Sequence, residues 1–131
     1  MSARAANAYR RVYLESAAPT RILDELFGRL LADLEDARQK ITVGDRGGKG
    51  HAIDHAMAIV AELSAALDFT AAPEICANLK LLYVYVNERL VDANVRIDRG
   101  PIDDAERVVL TLREAFQGAT SGGTSASSSS P

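Results

Sequence analysis

His51 and His55 stand one helical turn apart, a spacing at which two imidazoles can reach one metal ion. Zinc-protease chemistry needs a glutamate directly after the first histidine; Ala52 holds that position and Asp54 falls elsewhere. A two-iron bundle needs a pair of Glu-x-x-His motifs, and the chain has none. Without a complete ligand set, both histidines are expected at the surface or at a loop edge. Cys76 is the only cysteine and has neither a CxxC partner nor a neighbouring histidine, so a structural, partly buried thiol is expected in place of a nucleophile. The stretch GDRGGKG, residues 44–50, puts glycines and a lysine ahead of a helix as a phosphate loop does. It lacks the preceding strand and the GxxxxGK[ST] order, and Lys49 is followed by glycine, so it predicts a flexible interhelical loop. Glu88, Arg89, Asp92, Arg96 and Asp98 are spaced for pairs three and four apart on a solvated helix face, with a specific polar rim as the functional alternative. None of these groups forms a recognisable catalytic setting. The chain is expected to be no enzyme and to hold no cofactor or metal.

Composition narrows the remaining classes. The chain has 131 residues, enough for one domain with one core. Apolar residues make up 47% and aromatics only 5%, so the core is expected to be aliphatic. A net charge of −3 with both signs interspersed gives no basic face for nucleic acid. A lone cysteine suits a reducing compartment. No apolar run reaches the length of a membrane span, and the N-terminal stretch lacks the apolar centre of a signal peptide, so a cytoplasmic protein is expected.

The elements follow from periodicity. Residues 1–17 carry Tyr9, Val12 and Tyr13 on one potential face and read as a short N-terminal helix or arm. Pro19 opens a long helix with one stripe of Ile22, Leu26, Leu30, Leu34, Ala37 and Ile41 and a second of Leu23, Phe27 and Leu31, ending near Val43. A second helix, His51 to Leu67, carries Ile53, Met57, Val60, Leu63 and Leu67, flanked by Ala56 and Ile59. A third runs from about Glu74 to Asp98, with a stripe of Leu79, Leu82, Val86, Leu90, Ala93 and Ile97. Leu81, Val84 and Tyr85 widen that stripe beyond half the circumference, more than a single neighbouring helix covers. A fourth, Ile102 to Gln117, buries Ala105, Val108, Val109, Leu112 and Phe116. Residues 118–131, rich in serine and glycine, are expected to be disordered. The fold class is thus all-α: an antiparallel four-helix bundle over residues 18–117, with an N-terminal arm and a disordered tail. Wide apolar arcs serve either as core or as a groove for an amphipathic partner segment.

The sequence LYVYVNERLVDANVRID, residues 82–98, resembles the signature of the flagellar secretion chaperone FliS family, whose third long helix typically reads LYxYxxRRLxxANxxxD. Tyr83, Tyr85, Arg89, Leu90, Ala93, Asn94 and Asp98 fall in register, and Glu88 replaces the first arginine. The likeness extends outward. Ala8 and Tyr9 match an AY pair, and Pro19, Ile22, Leu26 and Phe27 match the pattern xPxxLxxxLYxGxL. Ala56, Ile59, Val60, Leu63, Ala66, Leu67 and Asp68 echo AxxIIxxLxxSLD, and Leu112, Arg113, Ala115 and Phe116 echo an LRxAW-like ending. It departs at Phe27, where tyrosine is usual, at Gly28, where the glycine is shifted, and in a link before the third helix without a Gly-Gly-Glu-like run.

The resemblance implies a cytoplasmic chaperone without ATPase activity. It would bind the disordered C-terminal segment of new flagellin in apolar grooves, prevent premature polymerisation and present it to the gate of the flagellar type III export apparatus. It also implies an N-terminal arm, anchored by Tyr9, that covers part of the groove. The second stripes suggest a groove lined by Leu23, Leu26, Phe27, Leu30, Leu31, Ile59, Leu63, Leu81 and Tyr85. Arg89, Asn94 and Asp98 are expected to brace the bundle by hydrogen bonds. A generic helical adaptor, or a homodimer formed through the same surface, is the alternative.

Overall fold

A computed structural model of the chain describes residues 20–129, and side chains over residues 21–118. Tyr9 and the N-terminal arm lie outside the described residues. Four helices follow one another: α1 (Thr20–Val43), α2 (Arg46–Ala65), α3 (Pro73–Arg96) and α4 (Gly100–Ser129). Each packs on the two beside it in the order α1, α2, α3, α4 and back to α1, while the diagonal pairs do not approach. The short links turn the chain back at each end, which gives the antiparallel four-helix bundle expected from the sequence.

The first link is shorter than the glycines suggest. Gly44 takes a left-handed backbone, φ 79°, where a side chain would be strained, and ends α1. The Asp45 N–H then donates back to the Lys40 carbonyl at 2.9 Å. Asp45 is already the N-cap of α2, its side chain accepting from the Gly48 N–H at 2.9 Å. Gly47, Gly48 and Gly50 therefore belong to the first turns of a helix, which corrects the expected flexible loop over residues 44–50. A methyl group on Gly48 would stand 2.5 Å from Asp45 Oδ2, so glycine there is what lets the cap close.

That early start of α2 places Lys49 inside the bundle. Its side chain is buried, and Nζ donates to the Asn94 carbonyl at 2.9 Å. Asn94 lies in the last turn of α3, where carbonyls lack helical partners and the helix dipole favours a cation. The contact at Asn94 is thus through its backbone, not through the side chain that the family signature singles out. Ile97 follows in the left-handed region, φ 54°, with the Asp98 N–H donating to the Ala93 carbonyl at 3.3 Å. It is the C-cap of α3 and is exposed, so it does not continue the buried stripe. Asp98 Oδ1 accepts from the Gly100 N–H at 3.0 Å and leads the chain into α4.

Leu23, Phe27, Leu30 and Leu34 of α1 meet Ile53, Ile59 and Leu63 of α2, Leu79 and Leu90 of α3, and Ile102 and Phe116 of α4 in one aliphatic core. The Phe27 and Phe116 rings tilt together at 5.8 Å between centroids. Arg38 ties α1 to α4 through Asp103 and Glu106, both at 3.0 Å. Within residues 21–118 the last buried side chain of α4 is Phe116. The backbone stays helical to Ser129, past the end of the helix expected at Gln117.

Candidate functional site

His51 is exposed, and the exposed His55 ring pairs with Asp33 of α1 at 2.6 Å through Nδ1. No group of three or more His, Cys, Asp or Glu side chains among the described residues could hold a metal ion. Cys76 is buried, and burial pushes its thiol up, away from the reactive thiolate. The thiol donates to the Asp68 carbonyl at 3.3 Å. Asp68 organises the same turn: its carboxylate accepts from the Thr70 hydroxyl and N–H, which hold its pKa below the usual carboxylate range. These contacts close the α2 to α3 connection.

The residues expected to line a groove separate into two sets. Leu23, Leu26, Phe27, Leu30, Ile59 and Leu63 are buried in the core, and Leu31 is partly buried against it. In this conformation they form the core and not an open groove. The reason is angular: the second stripe of α1 lies directly beside the first, so both fall within the arc that faces its two neighbours, α2 and α4. Leu81 and Tyr85 behave differently. Leu81 is 67% exposed and Tyr85 is 40% exposed.

They belong to a longer feature of α3. Leu81, Val84, Val91 and Val95 are all exposed, Val95 by 75%, on the side of the helix opposite Leu79, Val86, Leu90 and Ala93. With Glu88 between them, these positions run 81, 84, 88, 91, 95, alternating three and four apart, which is the spacing of a coiled-coil seam. The seam borders a surface depression of about 550 Å³ lined by Val84, Asn87, Glu88, Arg89, Val91, Asp92 and Val95. Asn87 Oδ1 is buried there without a hydrogen-bond partner.

The flank of the seam is fixed by charge pairs. Arg89 reaches Asp92 at 3.1 Å and Asp104 of α4 at 3.7 Å. Arg96 reaches Asp92 at 3.3 Å and Asp98 at 3.7 Å. Arg89 also lies 6.0 Å from the centre of the Tyr85 ring. Arg89 thus links α3 to α4, whereas Asp98 makes its contacts within the turn that joins them. Val91 and Val95 were missing from the expected groove because Glu88 breaks the apolar pattern one heptad in. The available signal was the spacing from Leu81 and Val84 across that glutamate.

The chain is similar to known proteins along most of its length. The family model described as flagellar protein FliS matches residues 1–122. The flagellar secretion chaperone FliS of Salmonella typhimurium is 35% identical over 115 residues, covering 84% of this chain and 85% of the relative. The flagellar secretion chaperone FliSB of Pseudomonas aeruginosa is 31% identical over 114 residues, with 84% and 90% covered. FliS of Escherichia coli is 27% identical over 121 residues, with 88% and 89% covered.

Proposed function

The chain belongs to the FliS family of flagellar secretion chaperones, and from that premise we propose that it holds the C-terminal segment of flagellin on the exposed seam of α3. A chaperone of flagellar export, and not an enzyme, is the class that membership supports. The observation that carries the finer reading is the seam itself: a run of large aliphatic side chains left open on a bundle whose other apolar stripes are covered. A monomeric protein gains nothing from exposing such a run, whereas an amphipathic helix laid along it buries apolar surface from both sides.

Flagellin's C-terminal segment fits this chemistry because it must become helical in the filament and must not associate before export. Held on the seam, its apolar face is unavailable for polymerisation. The chaperone works in the cytoplasm and delivers the segment to the flagellar export gate. The buried groove candidates of α1 and α2 support the seam from behind by fixing the bundle. No helix among the described residues is long and apolar enough to cross a membrane.

Calorimetric titration of the full chain with the C-terminal segment of the same organism's flagellin tests the reading. Saturable binding with a negative heat-capacity change is expected, since the seam is apolar. Absence of binding at high micromolar concentration overturns it.

A further inference from the structure

Glu88 is exposed at the centre of the apolar seam and makes no ion pair or hydrogen bond among the described residues, although Arg89, Asp92 and Arg96 around it are all paired. We infer that Glu88 selects the docked helix by charge, and that the helix occupying the seam presents a lysine or arginine against it. The inference rests on the seam being the docking face, and it adds which kind of segment the face accepts.

The heptad spacing carries the first part of the argument. From Leu81 to Val95 the seam is about 21 Å long at about 1.5 Å per residue, room for roughly four turns of a partner helix. Position 88 is equivalent to 81 and 95 in the repeat, so the partner's side chains close over Glu88 as they close over the leucine and valine. A carboxylate covered in this way loses water, and only an opposite charge or a donor on the partner compensates for that loss. An apolar residue or a carboxylate opposite it is disfavoured. A single charged residue in an otherwise apolar seam therefore sets register and excludes wrong partners.

The same argument weighs against a second copy of this chain. Pairing two seams about their midpoint sets Glu88 against Glu88, a like-charge contact at the centre of the interface. A basic amphipathic helix is the occupant that the seam's own charge favours.

The test uses two synthetic amphipathic peptides of four turns, identical except for lysine or glutamate at the central seam position, titrated into the full chain. The wild-type chain is expected to bind the lysine peptide about five-fold or more tightly than the glutamate peptide. Glu88→Gln should remove most of the difference, and Glu88→Lys should reverse it. Raising the salt concentration should shrink the preference. Because Glu88 is exposed and pairs with no described residue, circular dichroism and thermal melting of both variants should match wild type.

Equal affinity for the two peptides, a preference unchanged in Glu88→Lys, or self-association of the chain that neither peptide disrupts would each overturn the inference. The flagellin titration is separate. A chain that discriminates the peptides yet ignores flagellin keeps the charge rule and loses the flagellin assignment. One that binds flagellin but treats the peptides alike does the reverse.

Discussion

Phe27→Ala is expected to destabilise the bundle by about 3–5 kcal/mol, the usual cost of deleting a fully buried aromatic ring. Phe27 is completely buried, and its ring lies 5.8 Å from that of Phe116, which closes the α1 to α4 seam. The neighbouring Leu23 and Leu30 are buried as deeply, so little motion is available to fill the space. Small domains have only about 5–15 kcal/mol of stability to lose, so the variant should show a much lower urea midpoint and a measurable unfolded population at moderate temperature. Phe69→Ala is the control. Phe69 is 41% exposed, and its replacement should change stability by no more than about 0.5 kcal/mol. If Phe27→Ala melted like wild type and lost only partner affinity, Phe27 would be groove after all and its placement in the core would be wrong.

The second large effect is on binding. Leu81 and Val95 end the seam and are 67% and 75% exposed, so the double variant Leu81→Asp, Val95→Asp should fold and melt almost as wild type does. Covering each side chain in a complex is worth about 1.5–2 kcal/mol, so losing both corresponds to about a hundred- to a thousand-fold in affinity. The carboxylates add an uncompensated desolvation cost at both ends. Calorimetry with the flagellin segment should therefore show at least that loss, with unchanged helicity by circular dichroism. The same pair of substitutions at Val43 and Leu110, exposed positions on α1 and α4, should leave affinity intact.

These expectations divide along the line between what periodicity reveals and what packing decides. The four helices and the buried stripe of α3 were legible because Leu79, Val86, Leu90 and Ala93 recur at helical spacing. The extra width of the apolar arcs on α1 and α3 was legible too, but not its meaning. An arc reports how much of a helix is apolar; neighbours determine how much is covered. Both helices have two neighbours, but on α1 the two stripes share one inward arc, whereas on α3 the second stripe lies on the side opposite the first and faces outward.

Local chemistry misled in two places. Three glycines after Gly44 suggested a loop, yet Asp45 caps the helix that contains them, and a cap outweighs modest propensity losses in a helix held by tertiary contacts. That shift is also what buries Lys49, a residue whose contact with Asn94 is about 45 positions away in sequence and beyond any local pattern. At position 88, a glutamate concealed a heptad seam by interrupting its apolar run. The family signature pointed to this helix, but the exposed positions Val84, Val91 and Val95 fall on its variable letters. Recognition of the family and recognition of the surface thus drew on different residues of α3.

The most direct test of the surface is methyl NMR of the full chain during titration with the flagellin segment. Methyl resonances of Leu81, Val84, Val91 and Val95 should shift or broaden in proportion to occupancy, while those of Val43 and Leu110 stay in place. Perturbation centred on Leu23, Leu26 and Leu30 with the α3 methyls unchanged would contradict the account and return the binding site to α1.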